Sequence, residues 1–155
     1  MIMTTIQLCT IIQAPLESVF DAARNIDLHM NSAKKTKEKA IAGRTSGLID
    51  LYETVTWRGK HFGLYLTHQS KITSLRYPTY FIDEMVQGHF KSFKHQHIFK
   101  ETISGTEMID FLEYKTPYGS FGRFFDKLFL KRHLTKFLST RNQFIKTEVE
   151  RSTIG

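Results

Sequence analysis

The sequence predicts an α+β fold in which a curved antiparallel sheet wraps a long C-terminal helix. Two observations carry that reading. Strand-like segments separated by turn residues follow one another from Leu51 to Thr116, and Phe121 to Val149 then contains neither proline nor strand alternation. One strand and two short helical segments come first, an order that argues against alternating βαβ units.

Thr5 to Gln13 alternates, with Ile6, Leu8, Thr10 and Ile12 on one face and Gln7, Cys9, Ile11 and Gln13 on the other, as a strand does. Ala14-Pro15 ends it. Leu16, Val19, Phe20 and Ala23 then recur at helical spacing, with Pro15 at a first-turn position and Glu17 near the positive end of the helix dipole. A second short helix fits Ile26 to Ser32. The run from Ala33 to Lys39 is too charged to bury, so it reads as an exposed connection or the polar side of a strand starting near Lys39.

Five strands are expected at Leu51–Arg58, His61–Thr73, Thr79–Gln87, Phe90–Glu101 and Glu107–Thr116, all rich in β-branched or aromatic residues. Arg58-Gly59, Tyr77-Pro78, Gln87-Gly88 and Ser104-Gly105 separate them as turns. The helix from Phe121 carries two apolar faces: Phe121, Phe124, Phe125 and Leu128 centre on one side, and Leu130, Leu134, Phe137, Leu138 and Ile145 almost opposite. It must kink near Phe129 to Lys131, or its first half is covered on two sides.

At 155 residues, 41% hydrophobic and 13 Phe, the chain can bury the core of one domain spanning residues 1–155, and it is too apolar for a disordered segment. Cys9 is the single cysteine, which rules out a disulfide framework or thiolate cluster and fits a reducing, cytoplasmic setting. Met1 to Thr10 lacks the pattern of a signal peptide, and no apolar run approaches the ~18 residues of a membrane span. The net charge of +7 suits an anionic partner, but the basic residues form no nucleic-acid motif, and no nucleic-acid partner is expected.

Pairing across a Ser104-Gly105 turn places His95 opposite Tyr114, His97 opposite Leu112 and Phe99 opposite Asp110. Phe93, His95, His97, Phe99, Met108, Asp110, Leu112 and Tyr114 then share the concave face. On it His97 reaches Asp110 diagonally and His95 meets the Tyr114 hydroxyl. Such a cluster either orients a ligand or satisfies itself as a buried network. A two-residue histidine spacing lacks the third ligand that zinc requires, so no metal is expected, and without a phosphate loop or nucleophile elbow no cofactor is expected. Glu53, Asp83 and Glu84 lie in strands, where Glu53 and Asp83 alternate with apolar neighbours and either point inward or face solvent.

The segments Phe90 to Phe99, Gly105 to Asp110 and Tyr114 to Gly119, together with Ile12 to Phe20, resemble the START/Bet v 1-like (SRPBCC) superfamily, in its bacterial ligand-binding, polyketide cyclase-like branch. The resemblance covers essentially the whole chain; Phe93 stands where that branch more often has tryptophan. It implies the helix-grip fold and a hydrophobic small-molecule partner, a lipid, isoprenoid or polyketide-like compound, held between sheet and helix. The expected pocket comprises Trp57, Phe62, Leu64, Phe81, Asp83, Met85, Phe93, His95, His97, Phe99, Asp110, Leu112, Tyr114, Phe121, Phe125 and Leu128.

Binding alone is the leading expectation. A cyclase or dehydratase using His95 or His97, oriented by Asp110, is a second; a basic surface of Lys34, Lys35, Lys37, Lys39, Lys127, Lys131 and Arg132 meeting an anionic partner is a third.

Overall fold

The computed structural model describes residues 2–155. Strand β1 (Thr4–Ile12) leads into helices α1 (Leu16–Ala23) and α2 (Ile26–Ser32) and a single 3₁₀ turn, Lys34–Thr36. Six strands follow: β2 (Lys39–Gly43), β3 (Thr54–His61), β4 (Leu64–Arg76), β5 (Tyr80–Gln87), β6 (Ser92–Thr102) and β7 (Gly105–Lys115). The chain ends in a 36-residue helix made of α3 (Gly119–Phe125), a π segment (Asp126–Leu130) and α4 (Lys131–Ile154).

The seven strands form one antiparallel sheet in the order β1-β7-β6-β5-β4-β3-β2. Successive hairpins give the meander, and β1 closes onto β7 from Thr4 opposite Tyr114 to Ile12 opposite Thr106. Bulges in β4, between Gln69 and Ser70 and between Ile72 and Ser74, interrupt the ladder where a long strand must bend.

Two turns differ from expectation. β3 runs through Gly59 to His61, and the reversal falls at Phe62-Gly63, where both residues have positive φ (50° and 79°), as a two-residue I′ turn needs. Phenylalanine is an unusual residue there, so the Arg58-Gly59 pair was the stronger local signal. The β6–β7 turn is Ile103-Ser104, with Thr102 opposite Gly105. Gly105 serves a different need: at φ 143° it crosses close to β1, where an added Cβ would collide with the Ile12 carbonyl. The true register therefore pairs Phe93 with Tyr114, His95 with Leu112 and His97 with Asp110, two residues from the expected pairing. A slip of two preserves which side chains share a face, so the concave set is unchanged. The expected strand at Leu51 begins at Thr54, because Asp50 to Glu53 form a turn in which Tyr52 has φ 65°.

The core lies between α1, the concave sheet and α4. Val19 and Phe20 are fully buried, and Phe20 packs edge-on against Phe81 and Phe99 at 5.5 and 5.1 Å between centroids. Burying one such ring contributes ~2–3 kcal/mol, so this trio is a principal anchor of α1 on the sheet. From α4, Leu138, Ile145 and Val149 complete the layer.

The π segment explains the two apolar faces of the C-terminal helix. Its widened turn changes the helix phase, so Leu130 at its end and Leu134 and Leu138 beyond it face the sheet. The first half is not covered on two sides: Phe121, Phe124 and Leu128 are 75%, 63% and 47% exposed. Within the π segment, buried Asp126 accepts hydrogen bonds from Tyr114 Oη and Thr4 Oγ1, fixing the helix to the edge of the sheet. No helix of residues 2–155 is long and apolar enough to cross a membrane.

Candidate functional site

Between the sheet and the C-terminal helix lies a cavity of about 560 Å³. Its walls are mostly apolar, from Val55, Trp57, Leu66, Ile72, Phe81 and Leu134 among others. Of the expected pocket residues, Trp57, Phe62, Leu64, Phe81, Asp83, Phe93, His95, His97, Phe121 and Phe125 line it. Met85, Phe99, Asp110, Leu112, Tyr114 and Leu128 do not. Phe99, Leu112 and Tyr114 are buried in the core; Asp110 sits behind the histidines, and Leu128 lies on the outer face of the helix. The Tyr114 hydroxyl meets Asp126 rather than His95, because the two-residue shift carries it toward the helix start. Glu53 faces outward, bound to Arg44.

The deepest polar group centres on Asp110 of β7. His95 Nε2 donates to Asp110 Oδ1 at 2.8 Å, and Asn142 Nδ2 of α4 donates to Oδ2 at 2.6 Å. His97 Nε2 donates to Asp83 Oδ2 on β5 at 2.9 Å. His97 Nδ1 also comes within 3.1 Å of Asp110 Oδ1, but without the alignment of a hydrogen bond, so this contact is electrostatic. Arg141 from α4 stands 3.5 Å from the same oxygen and donates to the Ala23 carbonyl at 2.9 Å.

The two imidazoles are shifted in opposite directions. Burial, reinforced by the neighbouring His97, pushes His95 below the ordinary histidine value. Burial opposes charge on His97 as well, but the Asp110 and Asp83 carboxylates outweigh it and raise His97. For Asp110, burial is overcome by the histidines and Arg141, which hold it well below the usual carboxylate range. With His97 protonated, two carboxylates are balanced by an imidazolium and a guanidinium.

That balance bears on metal binding. Asp83 supplies the third donor that sequence spacing lacked: with His95 and His97 it offers ligand atoms within 4.8 Å of one another. Two of those donor groups are already engaged, His95 Nε2 with Asp110 and His97 Nε2 with Asp83, and His97 Nδ1 is left without a hydrogen-bond partner.

A second polar group escaped sequence reading because its members are far apart in the chain. Glu38 accepts from His29 Nε2 of α2 at 3.0 Å and lies 3.5 Å from His61 Nε2 of β3. His61 Nδ1 in turn shares a 2.9 Å hydrogen bond with His133 Nε2 of α4. Burial would raise Glu38, but the hydrogen bonds from His29 and His61 bring it down to about 2. With His68 and His89, all seven histidines of the chain line this one cavity. Of the seven, only His95 and His97 stood on a face that the sequence identified as concave.

An antiparallel sheet gripping a long C-terminal helix over an apolar cavity defines the Bet v 1-like fold. No family model matches the sequence, and no curated protein matches it. Among solved structures the chain is similar to TTHA0849 from Thermus thermophilus, with 15% identity, a TM-score of 0.79 and coverage of 96% of this chain and 99% of that one. It is similar to the Zhui aromatase/cyclase from Streptomyces sp. R1128, with 11% identity, a TM-score of 0.79 and coverage of 97% and 96%. Major latex-like protein 151 from Panax ginseng aligns with 14% identity, a TM-score of 0.69 and coverage of 95% and 97%. At these identities the likeness is one of fold.

Proposed function

We propose that the protein binds a hydrophobic small molecule bearing a hydroxyl or phenol, enclosed between the sheet and the C-terminal helix. The observation that carries this reading is the 560 Å³ apolar cavity with a convergent polar cluster in its wall. That volume lies within the ~300–1,000 Å³ of small-molecule sites. The hydroxyl follows from the tautomer. With Nε2–H given to Asp110, His95 keeps Nδ1 as an acceptor, which suits a donor on the ligand. Native mass spectrometry before and after organic extraction tests the reading. We expect one co-purifying species per chain; a bare chain showing no thermal shift with lipid and phenolic libraries would sink it.

One observation favours a second reading. Neighbouring histidines, their rings 3.8 Å apart between centroids, are shifted in opposite directions, His95 toward the neutral base and His97 toward the charged acid. Cyclisation of a polyketide-like substrate needs both, and an aromatase/cyclase is among the proteins sharing the fold. Under this reading His95→Gln abolishes turnover while leaving ligand affinity within about three-fold; equal loss of both would return the pair to a binding role.

A further inference from the structure

The mouth of the cavity is more apolar than a solvated rim requires. Phe62 and Leu64, at the β3–β4 hairpin, are 50% and 65% exposed, and Phe121, Phe124, Leu128 and Phe129 on the helix start are 75%, 63%, 47% and 54% exposed. The two elements touch. Phe62 lies edge-on to Phe125 at 5.2 Å, and Phe125 reaches Phe129 at 5.7 Å, so the aromatic surface runs from the hairpin across the helix. Isolated exposed hydrophobes need no explanation, but a contiguous group of large aromatic residues does.

Charge selects what covers it. From Lys115 to Thr147 the sole acidic residue is Asp126, which is buried and hydrogen-bonded to Tyr114. Arg123, Lys127, Lys131, Arg132 and Lys136 in the same stretch are all exposed. A second copy of this chain docking through the patch would set this cationic face against another of the same sign. An anionic bilayer complements both halves of the surface: its lipid phosphates meet the cations, and its acyl boundary takes the aromatic side chains.

We propose that the cavity mouth is a docking surface for an anionic phospholipid bilayer, with Phe62, Leu64, Phe121 and Phe124 entering the headgroup–acyl boundary and Arg123, Lys127, Lys131 and Arg132 meeting the phosphates. Docking in this orientation turns the opening of the cavity toward the membrane. It requires no particular ligand inside, so it stands or falls separately from the ligand-binding reading.

The test is co-sedimentation of the full chain with phosphatidylcholine vesicles, with and without about one-third phosphatidylglycerol. Binding is expected to the mixed vesicles only and to fall steeply between about 50 and 500 mM salt. Lys127→Glu/Lys131→Glu/Arg132→Glu should lose at least about ten-fold in partitioning, as should Phe121→Ser/Phe124→Ser, whose side chains are exposed and not needed by the core. Lys100→Glu, on β6 roughly 20 Å along the strand from Phe93, should bind like wild type. Circular dichroism confirms that each variant is folded. Failure of wild type to bind mixed vesicles overturns the proposal, as does equal loss in all three variants or a salt-resistant dimer that buries the patch.

Discussion

Asn142 of the C-terminal helix donates from Nδ2 to Oδ2 of Asp110 on β7 at 2.6 Å, and both residues are almost completely buried. With Arg141 of the same helix 3.5 Å from Oδ1, this bond joins the helix to the carboxylate that orients His95, so the grip of the helix and the polarity of the cavity wall are coupled. Asn142→Leu leaves Asp110 buried without that partner. We expect a loss of about 2–3 kcal/mol in urea unfolding. Loss below about 0.5 kcal/mol would mean that a water replaces the amide.

The Glu38 network gives the protein an acid-sensitive joint among α2, β3 and α4. Glu38 is faced by His29 and His61, with His133 behind His61. Its pKa is depressed in the folded state, from 4.5 to about 2, so its contribution is fully present above the unfolded value and is lost as pH falls from about 4.5 toward 2. Wild type should exceed Glu38→Gln in stability by up to about 3 kcal/mol near neutral pH, and the two should converge as the pH approaches about 2. Urea titrations at several pH values measure this; a gap that widens on acidification contradicts the assignment.

Filling the cavity should separate stability from binding. Ser70 is buried on β4 and lines the cavity. Ser70→Leu places apolar volume there and should raise stability by about 0.5–1 kcal/mol. It should also lower the fluorescence of a bound apolar probe, 1-anilinonaphthalene-8-sulfonate, at least about five-fold. Unchanged probe binding would place that probe outside the cavity.

Gly105→Ala tests the close crossing of β7 over the end of β1. A Cβ there would meet the Ile12 carbonyl and the Ala14 and Gln13 backbone, at a φ of 143° that alanine avoids. We expect a loss above about 2 kcal/mol by thermal or urea unfolding. A loss below about 1 kcal/mol would show that the edge strand shifts readily.

Much of the fold was legible in the sequence because alternation and helical spacing are local. Thr5 to Gln13, Thr79 to Gln87 and Phe121 to Val149 each matched an observed element to within a few residues, apart from the extra turns at the helix ends. Turn placement was less legible. Arg58-Gly59 has the composition of a turn, yet the chain turns at Phe62-Gly63, and Ser104-Gly105 was one residue late because Gly105 is spent on a close approach to β1. The concave face of β6 and β7 could be read even with the register two residues out, since strand faces repeat every two residues. The Glu38–His29–His61–His133 group could not, because it joins α2, the start of β2, β3 and α4, and no spacing in the chain encodes that meeting.

The π segment has a consequence for how this helix can vary. One irregular turn, pinned by buried Asp126, lets the residues before it and after it answer to different surroundings. Upstream, Phe121 and Phe124 are exposed at the cavity mouth; downstream, Leu138, Asn142 and Ile145 are locked against the sheet. Substitutions in the upstream turns can therefore retune what the molecule adheres to without disturbing the downstream packing. Deleting a single residue between Asp126 and Leu130 would remove the residue that the widened turn accommodates and leave one uniform helix, without the joint that lets its two halves vary separately.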